Sequence, residues 1–162
     1  MKRISFSSVL SVQYREDLEA VLFFSPHQDR VREGILKSIR QYGTPAIIVR
    51  DGLLRIVVGE YADAQTLYAL EEDLLRPRVV GSIIYIRNLT TNLTIVHVAV
   101  APEYVMVNNQ NSVPLAVQLF TKVMEAARQI KGIETVTVLY GKGHQFRMPI
   151  LTQSTATCLR PN

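Results

Sequence analysis

The chain has 162 residues, 48% of them hydrophobic and 20% charged, with a formal charge of +4 and a pI of about 9.4. These values predict one globular domain over residues 1–162, and no repeat, low-complexity tract or linker divides the sequence. The lysines and arginines are scattered, which indicates a solvated basic surface with a modest attraction for anions such as nucleotides. A nucleic-acid-binding protein is disfavoured, because no basic run is interleaved with aromatic residues.

Cysteine content and the lengths of the apolar runs favour a cytoplasmic protein. Cys158 is the only cysteine, so no internal disulfide can form, and we interpret it as an inert thiol in a reducing compartment. The N-terminal segment MKRISFSSVLSVQYRED has no sustained apolar run, so no signal peptide is expected. The longest apolar segments are too short to span a bilayer, so no membrane association is predicted.

The first part of the chain predicts one helix and one hairpin. Residues 4 to 24 mix short apolar runs with charged residues, and their pattern assigns no element boundaries. Ser25 is predicted to cap a helix that starts at Pro26 and ends at Gly43. Asp51-Gly52 lies between two β-branched runs, a strong hairpin signal. The predicted helix that starts at Pro26 has one apolar face, formed by Val31, Ile35, Leu36 and Ile39.

Three further apolar runs predict an antiparallel meander. These runs are Gln65 to Leu70, Val79 to Arg87 and Thr94 to Val100. Glu71 to Asp73 is interpreted as a solvated turn. Asn88 to Asn92 is interpreted as an exposed polar turn, which its glycosylation-like triplets Asn88-Leu89-Thr90 and Asn92-Leu93-Thr94 also mark.

A strand, helix and strand follow the meander. The helix is predicted from Val113 to Lys131, with Ser112 as its N-cap, and the next strand from Ile133 to Tyr140. Such a unit implies a right-handed crossover and a parallel pair. The sequence therefore predicts an α+β fold, a mostly antiparallel mixed sheet with one parallel β-α-β crossover and helices packed on it. The strand reaches the helix through a polar loop, so the first-turn N–H groups of the helix form a candidate anion site.

Two segments resemble the GNAT superfamily of N-acetyltransferases: VVGSIIY, from Val79 to Tyr85, and VHVAVAPEY, from Val96 to Tyr104. The resemblance covers roughly residues 65 to 140. It implies transfer of an acetyl or other acyl group from acyl-CoA to an amine on a small molecule or peptide. The resemblance implies a pyrophosphate-binding loop, which is degenerate here because Val113 and Leu115 stand where the family has small residues.

The resemblance also implies roles for individual residues. The backbone of Val98, Ala99 and Val100 would bind the pantetheine. The pyrophosphate would lie against Gln110, Asn111, Ser112, Val113 and Leu115. Tyr140 would protonate the leaving thiolate, although a sheet-end aromatic is its other interpretation. His97 is either a buried sheet residue with a satisfied ring or a proton acceptor for the incoming ammonium group.

The alternative function is a catalytically inactive GNAT-like module. It would bind another ligand in the same cleft, or use its sheet to self-associate as a homodimer. A metal site is not expected, because the three histidines and one cysteine show no metal-ligand spacing.

Overall fold

The computed structural model describes residues 2–23, 26–61, 64–72, 75–105, 113–139 and 146–150, without the side chains of residues 26, 27, 30, 146 and 147. These ranges contain a large and a small β-sheet with three α-helices. The larger sheet has the order β1-β5-β6-β7-β8-β9. Its strands are β1 (Arg3–Ser7), β5 (Gln65–Glu72), β6 (Arg78–Leu89), β7 (Asn92–Val100), β8 (Thr135–Val138) and β9 (Phe146–Pro149).

The large sheet confirms the predicted mixed architecture. All its neighbouring strands are antiparallel except β7 and β8, which pair in parallel and are joined through α3 (Leu115–Gln129). The helix is shorter than predicted, and Pro114 rather than Ser112 occupies its N-cap position. Proline has no side-chain acceptor, so the helix start has no side-chain cap here, and the Pro114 carbonyl accepts the first bonds of the helix. The strands β1 and β9 were not predicted; β9 pairs with β8 on the outer edge.

The smaller sheet has the order β2-β4-β3 and contains the predicted hairpin. Its strands are β2 (Leu10–Ser11), β3 (Pro45–Arg50) and β4 (Leu53–Val58). At the turn, Asp51 has φ 54° and Gly52 has φ 73°. Two successive positive φ values are what a two-residue hairpin turn needs, which explains why Asp-Gly predicted it.

Two helices precede this hairpin. The first, α1 (Arg15–Phe23), was not predicted. The second, α2 (Arg32–Tyr42), follows a 3₁₀ segment over Pro26–Val31, so the predicted helix starts as a tighter turn. Gly43 ends α2 as predicted, with φ 100° and its amide donating to the Ile39 carbonyl at 2.8 Å. Ser25 lies outside the described residues.

The large sheet is covered on both faces. Successive residues of β6, Ile83 and Ile84, belong to different apolar clusters, and both are 0% exposed. Because strand side chains alternate between faces, a strand buried on both sides reads as a continuous apolar run. One face packs on α3 through Leu115, Leu119, Val123 and Ala127. The other packs on α1 and the small sheet through Leu18, Leu22, Leu54, Ile56 and Val58.

Asn92 corrects the sequence interpretation of the β6–β7 turn. It was expected in an exposed turn, but it starts β7 and is only 4% exposed. Its Oδ1 accepts hydrogen bonds from the hydroxyls of Thr135 (2.8 Å) and Thr137 (3.0 Å) on β8. Its Nδ2 donates to Asn88 Oδ1 at 2.9 Å and to Thr94 Oγ1 at 3.1 Å. The amide therefore joins β7 to β8 at the start of the parallel pair.

Candidate functional site

The candidate site lies at the carboxyl end of β7, where the ladder with β8 is short. The parallel register runs from Asn92–Thr135 to Ile95–Val138, where β8 ends. On its other side, β7 pairs with β6 as far as Val100, opposite Gly81. Thus β7 extends beyond β8, and the resulting step lies at the carboxyl end of a parallel pair. Ligands in sheets with parallel strands commonly bind at such ends.

A β-bulge lies where the parallel ladder ends. The register of β6 and β7 shifts between Ile84 and Tyr85, so Val96 falls between the pairs Ile84–His97 and Tyr85–Ile95. Bulges bend a strand and are common next to functional sites. The Val96 carbonyl accepts a 2.7 Å hydrogen bond from the hydroxyl of Ser38, a buried residue of α2. Helix α2 therefore holds the bulge in place.

His97 is buried in the sheet face that α1 and the small sheet cover. It pairs with Ile84, which belongs to that cluster, and it is 5% exposed. Burial lowers the pKa of His97 to about 4, and a hydrogen bond to the Leu22 backbone opposes this shift only in part. The imidazole is therefore neutral at pH 7. This environment is that of a core histidine with a backbone partner.

Val98, Ala99 and Val100 are the last three residues of β7 and lie beyond the end of the β8 ladder. Val98 and Val100 are half-buried, while Ala99 is 5% exposed. The structure thus brings all three predicted pantetheine contacts to the step between β7 and β8. Their role in binding remains a prediction.

Helix α3 begins on the β7 side of the crossover that joins β7 to β8. The Pro114 carbonyl accepts the first hydrogen bonds of the helix, from the amides of Val117 (3.0 Å) and Gln118 (3.1 Å). The amides of Leu115 and Ala116 precede these bonds and are the first-turn donors that a helix offers to an anion.

The two large residues of the predicted pyrophosphate loop differ in their surroundings. Leu115 is 2% exposed and packs in the core beside Gly81, whereas Val113 is 55% exposed. Val113 and Pro114 therefore present their side chains to solvent at the helix start. Four predicted site residues lie outside the described residues: Gln110, Asn111, Ser112 and Tyr140.

A charged cluster that the sequence did not predict anchors the turn after β7. The clustered residues are Lys2, Glu71, Arg78, Glu103 and Tyr104. Glu71 accepts a hydrogen bond from the Tyr104 hydroxyl, and its Oε1 lies 3.0 Å from Lys2 Nζ and 3.3 Å from Arg78 Nε. Arg78 also forms an ion pair with Glu103. The cluster therefore ties the 3₁₀ turn Pro102–Tyr104 to the ends of β5 and β6.

The structure corrects the prediction that Glu71 and Glu72 lie in a solvated turn. Glu71 belongs to β5 and is 2% exposed, and its neighbour Glu72 also lies in the strand; Asp73 is outside the described residues. Burial raises the pKa of Glu71, but the hydrogen bonds from Tyr104, Arg78 and Lys2 outweigh it and lower the pKa to about 2. The carboxylate is therefore ionised at pH 7 and fully engaged in the cluster.

Within the described ranges, no group of three or more His, Cys, Asp or Glu residues is placed to hold a metal ion. The described helices include none that is both long and apolar enough to cross a membrane.

Comparison with known proteins gives one structural similarity. No family model matches the sequence, and no curated protein matches it. A solved structure from Desulfovibrio desulfuricans, described as a proposed acetyltransferase of the GNAT family, is similar to this chain. The match has 18% identity and a TM-score of 0.46, and it covers 84% of this chain and 72% of that one.

Proposed function

We propose that the protein is a GNAT-like acyltransferase that moves an acetyl or other acyl group from acyl-CoA to an amine. The observation that carries this proposal is the short parallel ladder, which ends at Ile95–Val138 while β7 continues to Val100. An extended chain with amide groups can lie along such a strand and bond to its backbone. Pantetheine is such a chain, and Val98 to Val100 would bind it.

The nucleotide end of the carrier would lie at the start of α3. Here the first-turn amides and the helix dipole favour an anion. The diphosphate would contact Gln110, Asn111, Ser112 and Val113, and the backbone amide of Leu115. Since the Leu115 side chain is in the core, the exposed side chains of Val113 and Pro114 would stand between solvent and these amides.

The reaction needs an uncharged amine, which attacks the thioester carbonyl carbon. A C–N bond forms, the C–S bond breaks, and the thiolate leaves with a proton that Tyr140 would supply. The proton that the attacking nitrogen loses would pass through solvent and restore the Tyr140 hydroxyl. A backbone N–H on β7 would stabilise the oxyanion. With a pKa of about 4, His97 is a weak base, so the amine proton is not routed through it.

Calorimetric titration with acetyl-CoA tests the proposal. We expect a heat of binding that weakens as salt is added, because the diphosphate would be held by charge. Acetyl-pantetheine, which lacks the nucleotide, should bind more weakly and without the salt dependence. No heat with acetyl-CoA at millimolar concentration would contradict the proposal.

Two variants separate binding from chemistry. Val113→Gly should raise the affinity for acetyl-CoA several-fold, if the exposed valine keeps the diphosphate from the helix amides. Unchanged affinity would refute this explanation of the loop.

Tyr140→Phe should lower turnover by about 10²-fold with little change in affinity. Equal turnover of the two proteins would remove Tyr140 from the mechanism.

A GNAT-like module without catalysis is the second candidate. The buried state of His97 favours it, because this state fits the first of its two interpretations, a sheet residue, and a pKa of about 4 makes it a weak proton acceptor. Such a module would give no product with any amine tested. If it self-associates through the sheet, sedimentation would show a homodimer whose fraction rises with concentration.

A further inference from the structure

A second cavity, of about 290 Å³, lies between the small sheet and the start of β5. The β3–β4 hairpin, the segment between β1 and β2, and the first residues of β5 line it. Gln65 at the start of β5 pairs with Tyr85, whereas Glu71 near its end pairs with Arg78. The cavity is therefore at the opposite end of β5 from the charged cluster and from the carboxyl end of β7.

Two arginines of the hairpin line this cavity from the same face. Ile48 pairs with Arg55 and Arg50 pairs with Leu53, so these four side chains share one face of the hairpin. Arg50 and Arg55 are then diagonal neighbours across the two strands, a distance that long side chains can bridge. When two guanidinium groups approach each other, an anion between them offsets their repulsion.

No carboxylate neutralises the two arginines among the described residues. The cavity lining contains no Asp or Glu, and no described ion pair includes Arg50 or Arg55. Asp51 lies in the adjacent turn but does not line the cavity. The face therefore carries two positive charges that only solvent and dissolved ions balance in the described part of the chain.

Hydroxyl groups of β5 and apolar side chains of the hairpin complete the cavity. Thr66 and Tyr68 of β5 line it, and Tyr68 is 2% exposed. Burial raises the pKa of Tyr68, while a hydrogen bond to Thr66 and the charge of Arg55 oppose this shift in part. Ile48 and Leu53 form the apolar floor, since they share the hairpin face of the two arginines, whereas Leu54 and Ile56 lie on the other face.

We propose that this cavity is a binding site for a small organic acid. Its carboxylate would lie between Arg50 and Arg55, because a guanidinium binds a carboxylate through two parallel N–H donors. The body of the acid would pack on Ile48 and Leu53. The volume is close to the lower limit of the range for small-molecule sites, which suits a ring or a short chain.

Calorimetric titration with benzoate and benzamide tests this proposal, since the two probes have the same shape and differ in charge. We expect benzoate to bind at least about tenfold more tightly than benzamide. The double variant Arg50→Gln/Arg55→Gln should lose a similar factor for benzoate. Arg32→Gln/Arg128→Gln is the matched control, because it removes the same net charge from helices α2 and α3, and it should bind benzoate like the parent protein.

Other outcomes would overturn the proposal. Equal weakening in both double variants would indicate general charge attraction, and no benzoate heat at millimolar concentration would exclude the site. Displacement of benzoate by an equal concentration of inorganic phosphate would indicate a bare anion site without a role for the apolar floor. Saturation with acetyl-CoA should leave benzoate binding unchanged. Competition between the two ligands would mean that benzoate binds at the β7 site and not in this cavity. Thermal melts of both double variants establish that they are folded.

Discussion

Glu71 is the residue whose environment departs most from its sequence pattern. Its carboxylate is buried, and its partners Tyr104, Arg78 and Lys2 hold its pKa at about 2. We predict that Glu71→Gln destabilises the protein by about 1–2 kcal/mol at neutral pH, a value reduced because Lys2 and Arg78 are themselves partly exposed. Urea unfolding measures this difference.

The destabilisation should also depend on pH. A carboxyl whose pKa is lowered by folding stabilises the protein above its ordinary value of 4.5, and this stabilisation is lost as pH falls toward about 2. The gap between Glu71→Gln and the parent protein should therefore narrow over that window. Glu72→Gln is the control, since its exposed ion pair with Arg3 should contribute less than about 0.5 kcal/mol. A gap that stays constant with pH would contradict the assigned cluster.

His97 should respond to acid in a different window. Its pKa is lowered by burial to about 4, below the ordinary value of 6.5, so the unfolded chain binds more protons between these values. Stability should therefore fall as pH drops from 6.5 toward 4, and this fall should be smaller in His97→Asn. Urea unfolding of both proteins across this range checks the prediction. An identical pH dependence would mean that His97 is not buried and neutral in solution.

At the residue level, sequence patterns fail where partners are distant in the chain. Glu71 bonds to Lys2 and Tyr104, which lie 69 and 33 positions away. A local pattern of three acidic residues favours a solvated turn because it contains none of these partners. The same holds for Asn92, whose threonine partners are on β8.

At the level of elements, the close contact between α3 and β6 depends on Gly81. A Cβ at this position would lie 3.1 Å from Leu119 Cδ1, 3.3 Å from Leu115 Cδ2 and 3.4 Å from the Ala99 carbonyl oxygen. We predict that Gly81→Val destabilises the protein by about 1–3 kcal/mol, because the helix must move away from the sheet. In the double variant Gly81→Val/Leu119→Ala, the valine side chain has room. The double variant should therefore lose less unfolding free energy than the two single variants lose in sum. Simple additivity would show that Gly81 does not set the packing of α3.

The elements that the sequence predicted are those with strong local signals. The Asp51-Gly52 hairpin and the helix α3 depend on neighbours within a few positions, and both elements are confirmed. Helix α1 had such a signal too, since its buried residues Leu18, Val21 and Leu22 have helical spacing after acidic residues in the first turn. The signal of α1 was obscured because the helix is short and lies in a region of mixed apolar runs. The edge strand β1 has no signal of its own, because its place depends on pairing with β5.

For the whole molecule, the sequence predicted where the candidate site lies but not its shape. The order of β7, loop and α3 follows from the apolar pattern. The short β7–β8 ladder and the bulge at Val96 follow from how separate elements meet, including the hydrogen bond from Ser38 on α2. No spacing within VHVAVAPEY encodes such contacts.

The two apolar clusters share the large sheet, and this arrangement predicts a single unfolding unit. The α3 cluster includes Leu119 and Ile83, and the other cluster includes Ile56 and Ile84, so adjacent residues of β6 connect them. Loss of either cluster exposes one face of β6. Leu119→Ala and Ile56→Ala should therefore each cost about 2–5 kcal/mol and lower the same cooperative transition. Circular dichroism and tyrosine fluorescence should then give coincident unfolding curves for both variants. Two separated transitions in Ile56→Ala would instead mean that the small sheet unfolds on its own, and residues 1–162 would not form one domain.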